Sequence, residues 1–157
     1  LALENLYKQF KDAAILGSLI NPEIALGKGT LFESSWQQVQ GLLSDLLIKE
    51  KNEKNAQIGV TALGVAKAAS LLTKRYHYIM TNVPYLGKGK METIMVEYLE
   101  KHYFEASNDL ATSFMCRMKE MLFENGAYSF VSSQNWMFLK TFSSFRQQQL
   151  KELNWKN

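Results

Sequence analysis

Apolar residues recur at steps of three and four along the first part of the chain, a spacing typical of amphipathic helices. Leu1 to Leu16 shows this spacing and ends at Gly17, a residue type that often stops helices. Glu33 to Lys51 shows it more fully, and a third helix is predicted over Ile58 to Thr73, which is rich in Ala and Leu. The pattern therefore predicts a mainly helical segment over residues 1–75.

After residue 75 the pattern changes, and two short strands are predicted among further helices. Tyr76 to Thr81 is a compact apolar run, and Ala127 to Ser132 alternates between apolar and polar residues. Three helices are predicted around these strands: Met91 to Tyr103, Leu110 to about Glu124, and a last one that begins at Phe138 or Thr141 and ends at Leu153. The middle helix has Asn108 or Asp109 as its N-cap and Asn125-Gly126 as its stop.

This order of elements indicates the fold class. A strand, a turn and a helix followed by another strand and helix is the pattern of parallel α/β units. Two strands are too few for a complete doubly wound sheet. The sequence therefore predicts an α/β fold in which residues 76–157 form the second half of such a sheet. The helical segment precedes it, and we expect one compact unit overall.

The composition excludes several classes of protein. The 157 residues are 46% hydrophobic and 21% charged, so the chain can form a hydrophobic core and does not belong with disordered proteins. A formal net charge of +3 is compatible with nucleic-acid binding but is weak evidence for it. Cys116 is the single cysteine, which excludes an intrachain disulfide and a multi-cysteine metal site. We expect it to be a small, buried apolar residue.

Two features bear on where the protein acts. No run of about 18 apolar residues is present, so no membrane span is predicted. Leu1 to Lys11 lacks the basic and apolar regions of a signal peptide, and we expect a cytoplasmic protein. The chain begins with Leu1 rather than Met, which indicates a piece of a longer protein.

The most informative motif is Asn82-Val83-Pro84-Tyr85, directly after the strand predicted from Tyr76. Alone it is a weak signal, since Asn and Pro are common in turns. The segments that accompany it, in this order, are Leu86-Gly87, Asp109 to Phe114, Asn125 to Val131, Gln134 to Leu139 and Ser144 to Arg146.

Through these segments, Tyr76 to Arg146 resembles the catalytic half of a class I, S-adenosylmethionine-dependent DNA adenine methyltransferase. The resemblance is to the large methylases of BREX-type bacterial phage-defence systems and to related fused restriction–modification methylases. The usual motif of that family is Asn-Pro-Pro-Tyr, and here Val83 replaces the first Pro. The resemblance implies a partial Rossmann-like methyltransferase domain that acts on double-stranded DNA, with other subunits of a defence system as further partners.

The reaction implied is methyl transfer to the exocyclic amine of adenine, a poor nucleophile because its lone pair is delocalised into the ring. Asn82 carries a carbonyl that can accept a hydrogen bond from this amine. The resemblance implies that the Val83 backbone carbonyl is the second acceptor, and a residue before Pro84 keeps the extended geometry this needs. Tyr85 is expected to stack on a base flipped out of the duplex. No metal or covalent nucleophile is required.

Some residues of the matching segments have two interpretations. Asp109 can cap a helix or, by the resemblance, border the cofactor pocket. Phe114 can lie near the adenosine ring of the cofactor or in the core. Lys88 and Lys90, in a flexible Gly-spaced loop, can meet DNA phosphates or stay solvated.

Gln134, Asn135 and Trp136 follow the second strand. Open α/β sheets bind ligands at the carboxyl ends of their strands, so these residues can line a cleft for DNA. For Trp136, plain packing in the core is an equally good interpretation.

Two regions that proteins of this family contain are missing from the sequence. The family binds S-adenosylmethionine mainly through a Phe-x-Gly-x-Gly turn after its first strand, and it reads DNA through a further region. We therefore expect this chain alone neither to bind the cofactor tightly nor to methylate DNA. Two alternatives stay open: a non-catalytic DNA- or protein-interaction module that keeps an ancestral turn, and an unrelated small α/β protein.

Overall fold

The computed structural model describes residue 8, residues 10–26 and residues 53–152. The helix predicted over Glu33 to Lys51 lies outside these residues, and so does part of the helix predicted over Leu1 to Leu16. The chain divides into two compact units, Leu1–Lys74 and Arg75–Asn157.

The first unit contains α1 (Ala13–Leu16), α2 (Pro22–Leu26) and α3 (Glu53–Thr73). Gly17 ends α1 as predicted: its φ is +52°, a conformation that suits glycine, and its N–H donates to the Ala13 carbonyl. Asn21 precedes α2, and its Oδ1 accepts a hydrogen bond from the Glu23 N–H at 3.0 Å. Local turn chemistry therefore sets where these two short helices end and begin.

The third helix is longer than predicted, since it begins at Glu53 rather than Ile58. Its first turns consist mostly of polar residues, which favour helix without forming an apolar stripe, so apolar spacing could not reveal them. A small apolar cluster stabilises this unit and consists of Ala66, Ala69, Phe10 and Val65.

The second unit is built on a two-stranded parallel sheet of β1 (Tyr76–Asn82) and β2 (Leu122–Val131). Between the strands lie α4 (Thr93–His102) and α5 (Leu110–Glu120), and α5 packs against β2. After β2 come α6 (Asn135–Phe138) and α7 (Ser143–Glu152). Two parallel strands joined through helices confirm the predicted α/β class.

The start of β2 differs from the prediction, because the strand begins at Leu122 rather than Ala127. Asn125-Gly126 was predicted to stop a helix, but it lies inside β2, opposite a register irregularity between Tyr76 and Tyr78. A Cβ at Gly126 would lie 2.9 Å from the Tyr76 carbonyl oxygen, so glycine lets the two backbones approach. The prediction was wrong because Asn-Gly suits a strand irregularity as well as a helix end.

The core of the second unit draws on three helices. Leu99 of α4, Met115 of α5 and Phe145 of α7 are all fully buried. Arg117 of α5 is buried as well, and its Nη1 donates to Glu120 Oε2 at 3.2 Å. A buried guanidinium is costly unless it is paired, so this contact keeps α5 compatible with an apolar environment.

One face of the sheet carries exposed apolar side chains. Alternation along β1 places Tyr78 and Met80 on one face, and the register adds Val131 of β2 to it. These side chains are 54%, 73% and 58% exposed, respectively. Parallel sheets are normally covered on both sides. We call the surface formed by these three residues the open face.

None of the described helices is long and apolar enough to cross a lipid bilayer.

Candidate active site

The carboxyl ends of the two parallel strands meet at one edge of the sheet, where Asn82 pairs with Val131. Asn82 is the last residue of β1, and it is exposed. Ligands of open α/β sheets bind at this edge. The motif predicted to carry the chemistry therefore begins where a ligand can reach it.

The three residues after Asn82 differ in burial. Val83 is 6% exposed, Pro84 is exposed and Tyr85 is 52% exposed. Val83 is therefore buried as a whole residue, in contrast to its two exposed neighbours. Half of the Tyr85 surface is available to a planar ligand, which an aromatic ring can stack against.

Asn82 and Tyr85 lie side by side. The Tyr85 hydroxyl donates to Asn82 Oδ1 across 3.5 Å, at the outer limit of a hydrogen bond. An amide oxygen has two lone pairs, so Oδ1 can still accept a second donor. The structure thus brings together the two side chains that the sequence linked to the target base.

The loop after Tyr85 is tied to the residues that precede α5. Gly87 and Asp109 form an antiparallel bridge. Its two hydrogen bonds run from the Leu110 N–H to the Leu86 carbonyl at 2.9 Å and from the Lys88 N–H to the Asn108 carbonyl at 3.0 Å. The sequence predicted a flexible loop here, whereas the structure anchors it. A bridge of one residue pair leaves no periodic pattern by which the sequence could have shown it.

Lys88 and Lys90 lie in the short 3-10 turn Lys88–Lys90 of this loop. Lys88 is ion-paired with Glu100 of α4, and the two side chains are 40% and 43% exposed. Lys90 is exposed. An ion pair this open to water contributes little to stability, so Lys88 can exchange its partner for another anion. The DNA contact expected of both lysines stays a prediction.

Asp109 is the N-cap of α5, since its Oδ1 accepts a hydrogen bond from the Ala111 N–H at 2.8 Å. The capping interpretation is therefore confirmed. Burial raises the pKa of the Asp109 carboxyl, and the hydrogen bond from Ala111 opposes that shift. Phe114 lies further along α5 and is half-buried. That these two residues border a cofactor pocket stays a prediction.

Gln134, Asn135 and Trp136 follow β2 at the same edge of the sheet. Gln134 and Asn135 are exposed, whereas Trp136 is 6% exposed. The Trp136 ring meets Phe145 edge to face with 5.8 Å between centroids, and its Nε1 donates to Ser132 Oγ at 3.0 Å. The packing interpretation of Trp136 is confirmed, and contact of all three with DNA stays a prediction.

Three residues make structural hydrogen bonds in this unit and had no role assigned from the sequence. Arg146 Nη1 donates to the carbonyls of Trp136 at 2.8 Å and Leu139 at 2.7 Å, which fixes the segment after β2. The sequence offered one signal for Arg146, namely its place in the Ser144 to Arg146 segment that matches the family. Thr112 and Ser113 were also missed, although two hydroxyls in a predicted buried helix indicate internal hydrogen bonds.

Cys116 on α5 gives the protein no reactive thiol. Burial raises the pKa of the Cys116 thiol to about 12, and the nearby Glu120 carboxylate adds to the shift. Such a thiol stays protonated at neutral pH and is a poor nucleophile. Cys116 lies in a helix as expected, but it is half-buried rather than fully buried.

Comparison with known proteins identifies the family. Residues 6–157 match the family described as Eco57I restriction-modification methylase, and the chain belongs to that family. It is 27% identical over 145 residues to a protein of Lacticaseibacillus casei (strain Zhang) named adenine-specific methyltransferase PglX. It is 33% identical over 78 residues to a protein of Escherichia coli O9:H4 (strain HS) named adenine-specific methyltransferase BrxX. The resemblance drawn from the motifs is confirmed.

The chain corresponds to a small part of these relatives. The first alignment covers 92% of this chain and 12% of the PglX protein. The second covers 50% of this chain and 6% of the BrxX protein.

Proposed function

We propose that this chain is the catalytic segment of a longer DNA adenine methyltransferase, which transfers a methyl group from S-adenosylmethionine to the exocyclic amine of adenine. The observation that carries the proposal is the exposed Asn82 at the carboxyl edge of the parallel strands, with the half-exposed Tyr85 beside it. Membership of a methylase family and the names of the two relatives support the same reaction.

Asn82 and Val83 hold the target amine in this proposal. The nitrogen lone pair must leave conjugation with the ring before it can attack a methyl group, and two acceptors placed on the amine hydrogens favour that geometry. Asn82 Oδ1 is one acceptor and the Val83 carbonyl is the other. The buried Val83 side chain helps to fix that carbonyl. The weak contact from the Tyr85 hydroxyl, at 3.5 Å, gives way when the amine arrives.

Tyr85 holds the base itself. The amine lies inside the stack of a duplex, so the nucleotide must be flipped out, at a cost of roughly a few kcal/mol. Stacking of the base on an aromatic ring offsets about 1–3 kcal/mol of this cost. The ring of Tyr85, 52% exposed, has the free surface that such stacking needs.

We propose that Phe114 and Asp109 contribute to one wall of a pocket for S-adenosylmethionine, which would supply an electrophilic methyl group when bound. Phe114 is a half-buried residue of α5, and the Asp109 carboxyl caps the start of the same helix. We assign the remaining walls to other parts of the longer protein. The isolated chain is therefore proposed neither to bind the cofactor tightly nor to methylate DNA. Micromolar binding of S-adenosylmethionine in a calorimetric titration of the isolated chain would contradict the first of these two expectations.

Double-stranded DNA is the proposed substrate. Lys88 and Lys90 contact its phosphates, and the segment Gln134 to Trp136 lines its path at the other strand end. We place the enzyme in the bacterial cytoplasm, in phage defence of the BREX type or in restriction–modification, with other subunits of such a system as partners. The family description and the relatives' names support this setting.

The test is transfer of labelled methyl from S-adenosylmethionine to DNA by the full-length protein, wild type beside Asn82→Ala. We expect label in adenine with wild type and a loss of at least about a hundredfold in the variant, because an acceptor used in the transition state is gone. Asn125→Ala is the matched control: this residue is also an exposed Asn, but it lies in the early part of β2.

The possible results distinguish a methyltransferase from a non-catalytic interaction module. Loss of methyl transfer in Asn82→Ala, with transfer retained in Asn125→Ala, supports the proposed site. A folded, cofactor-binding wild type that transfers no label would overturn the proposal. Asn82→Ala would then be expected to leave DNA or partner binding unchanged, as in a non-catalytic interaction module.

A further inference from the structure

The loop that carries Asn82 to Tyr85 continues into Leu86 to Lys88, which pairs with the backbone of Asn108 to Leu110. We call this pairing the loop bridge. It fixes the chain directly after the catalytic motif, so the position of the motif depends on the position of the residues before α5.

Those residues are fixed in turn by two hydroxyls on α5. Thr112 Oγ1 lies 2.7 Å from the Ala106 carbonyl oxygen and 2.8 Å from that of Asp109. Ser113 Oγ lies 3.0 Å and 3.2 Å from the same two oxygens. Both side chains are buried, at 1% and 0% exposure. The two hydroxyls thus hold both ends of the stretch from Ala106 to Asp109.

Stability alone does not require hydroxyls at these positions. A buried hydroxyl stabilises only when its hydrogen bonds replace those with water, and an apolar side chain of the same shape can be nearly neutral. Asp109 already caps the first turn of α5 through the Ala111 N–H. The Asp109 carbonyl also accepts the Ser113 N–H at 3.2 Å. What the hydroxyls add are further hydrogen bonds to this carbonyl, whose peptide group carries the Leu110 N–H of the loop bridge, and to the Ala106 carbonyl.

We propose that Thr112 and Ser113 are positioning residues for the catalytic loop. Their hydroxyls hold Ala106 to Asp109, that stretch holds Leu86 to Lys88 through the loop bridge, and the loop bridge holds the Asn82 motif. This rests on the proposed function for its catalytic consequence, but the mechanical link can be measured without any activity.

The experiment compares Thr112→Val/Ser113→Ala with wild type in the full-length protein. Thr112→Ser keeps a hydroxyl and serves as the rescue variant. Thr73→Val is the matched control, because it also removes a hydroxyl that bonds to backbone carbonyls at a buried position, in the first unit. Hydrogen exchange is followed by mass spectrometry in peptides covering residues 86–90 and 107–111, and methyl transfer is measured alongside.

In the double variant we expect exchange in both peptides to be about fivefold to tenfold faster, since the loop bridge opens more often. We expect kcat to fall about tenfold, because small displacements of catalytic groups are costly. KM for S-adenosylmethionine should stay within about threefold. Thr112→Ser and Thr73→Val should leave the exchange of both peptides near wild type.

Unchanged exchange in both peptides would overturn the proposal, and so would faster exchange with unchanged kcat. If the double variant fails to fold, Thr112→Val and Ser113→Ala are measured singly. Faster exchange in both peptides is then expected of each single variant, because each loses one of the two hydroxyls that hold Ala106 and Asp109, and unchanged exchange in both single variants would overturn the proposal. A wild type that transfers no methyl group would count against the proposed function, while the exchange data would still decide whether the hydroxyls hold the loop.

Discussion

Val83 is the residue at which this chain departs from the Asn-Pro-Pro-Tyr motif, and the structure is compatible with either residue type. Residue 83 is 6% exposed, so the position favours an apolar side chain, which both Val and Pro have. The group assigned to the reaction is the backbone carbonyl, which both Val and Pro possess. Val lacks the fixed φ of Pro, and burial of its side chain supplies part of the missing restraint.

Gln149 on α7 offers a test of stability at the residue scale. It is 1% exposed, and its Oε1 accepts no hydrogen bond from any described residue. An unsatisfied buried acceptor retains its desolvation cost. We expect Gln149→Met, which keeps the length of the side chain, to raise the free energy of unfolding by about 1 kcal/mol.

Urea unfolding of the two proteins measures this difference. Gln148→Met is the control, because Gln148 is the exposed neighbour and its replacement should change stability by less than about 0.5 kcal/mol. Destabilisation by Gln149→Met would contradict the expectation and would point to a donor that satisfies Oε1.

At the scale of elements, two glycines in the first unit should respond oppositely to alanine. Gly17 has φ +52°, which a side chain tolerates poorly, so Gly17→Ala should destabilise by about 1–2 kcal/mol. Gly64 lies inside α3, and a Cβ there would meet no atom within 4 Å. Gly64→Ala should stabilise by about 0.5–1 kcal/mol. Thermal unfolding of both variants tests the pair, and shifts of the same sign would be the contrary result.

Elements with a strong local signal could be predicted from the sequence. Gly17 as a helix stop, β1 from Tyr76 and the Asp109 cap all depend on nearby residues, and all were found. The start of β2 at Leu122 depends on pairing with a distant strand, and the sequence did not show it. The loop bridge was missed for the same reason. The side-by-side placement of Asn82 and Tyr85 followed from their short separation in the motif.

For the whole molecule, stability should fall in alkaline solution. Burial raises the pKa of Cys116 from 9.0 to about 12, and the pKa values of Tyr103 and Tyr128 are raised from 10.0, also mainly by burial. Above about pH 9 the unfolded chain loses protons that the folded chain keeps, which favours unfolding. The loss from Cys116 should approach about 1.4 kcal/mol per pH unit between these two pKa values.

Urea unfolding at a series of pH values from 7 to 11 measures this dependence. Cys116→Ala removes one titrating group. The slope of the free energy of unfolding against pH should then become shallower in alkaline solution, by at most the amount that corresponds to one proton. A free energy of unfolding that stays constant above pH 9 in the wild type would contradict the raised pKa values of Cys116, Tyr103 and Tyr128.

The open face of the sheet has a practical consequence for anyone who makes this protein. Tyr78, Met80 and Val131 bring apolar surface to water in the chain on its own, and such surface favours self-association. Alternation along β1 puts Asn82 on this face, so self-association through the open face would also cover Asn82. Dilute samples or a mild detergent in the buffer should therefore keep both the apolar surface and the Asn82 amide accessible in an assay.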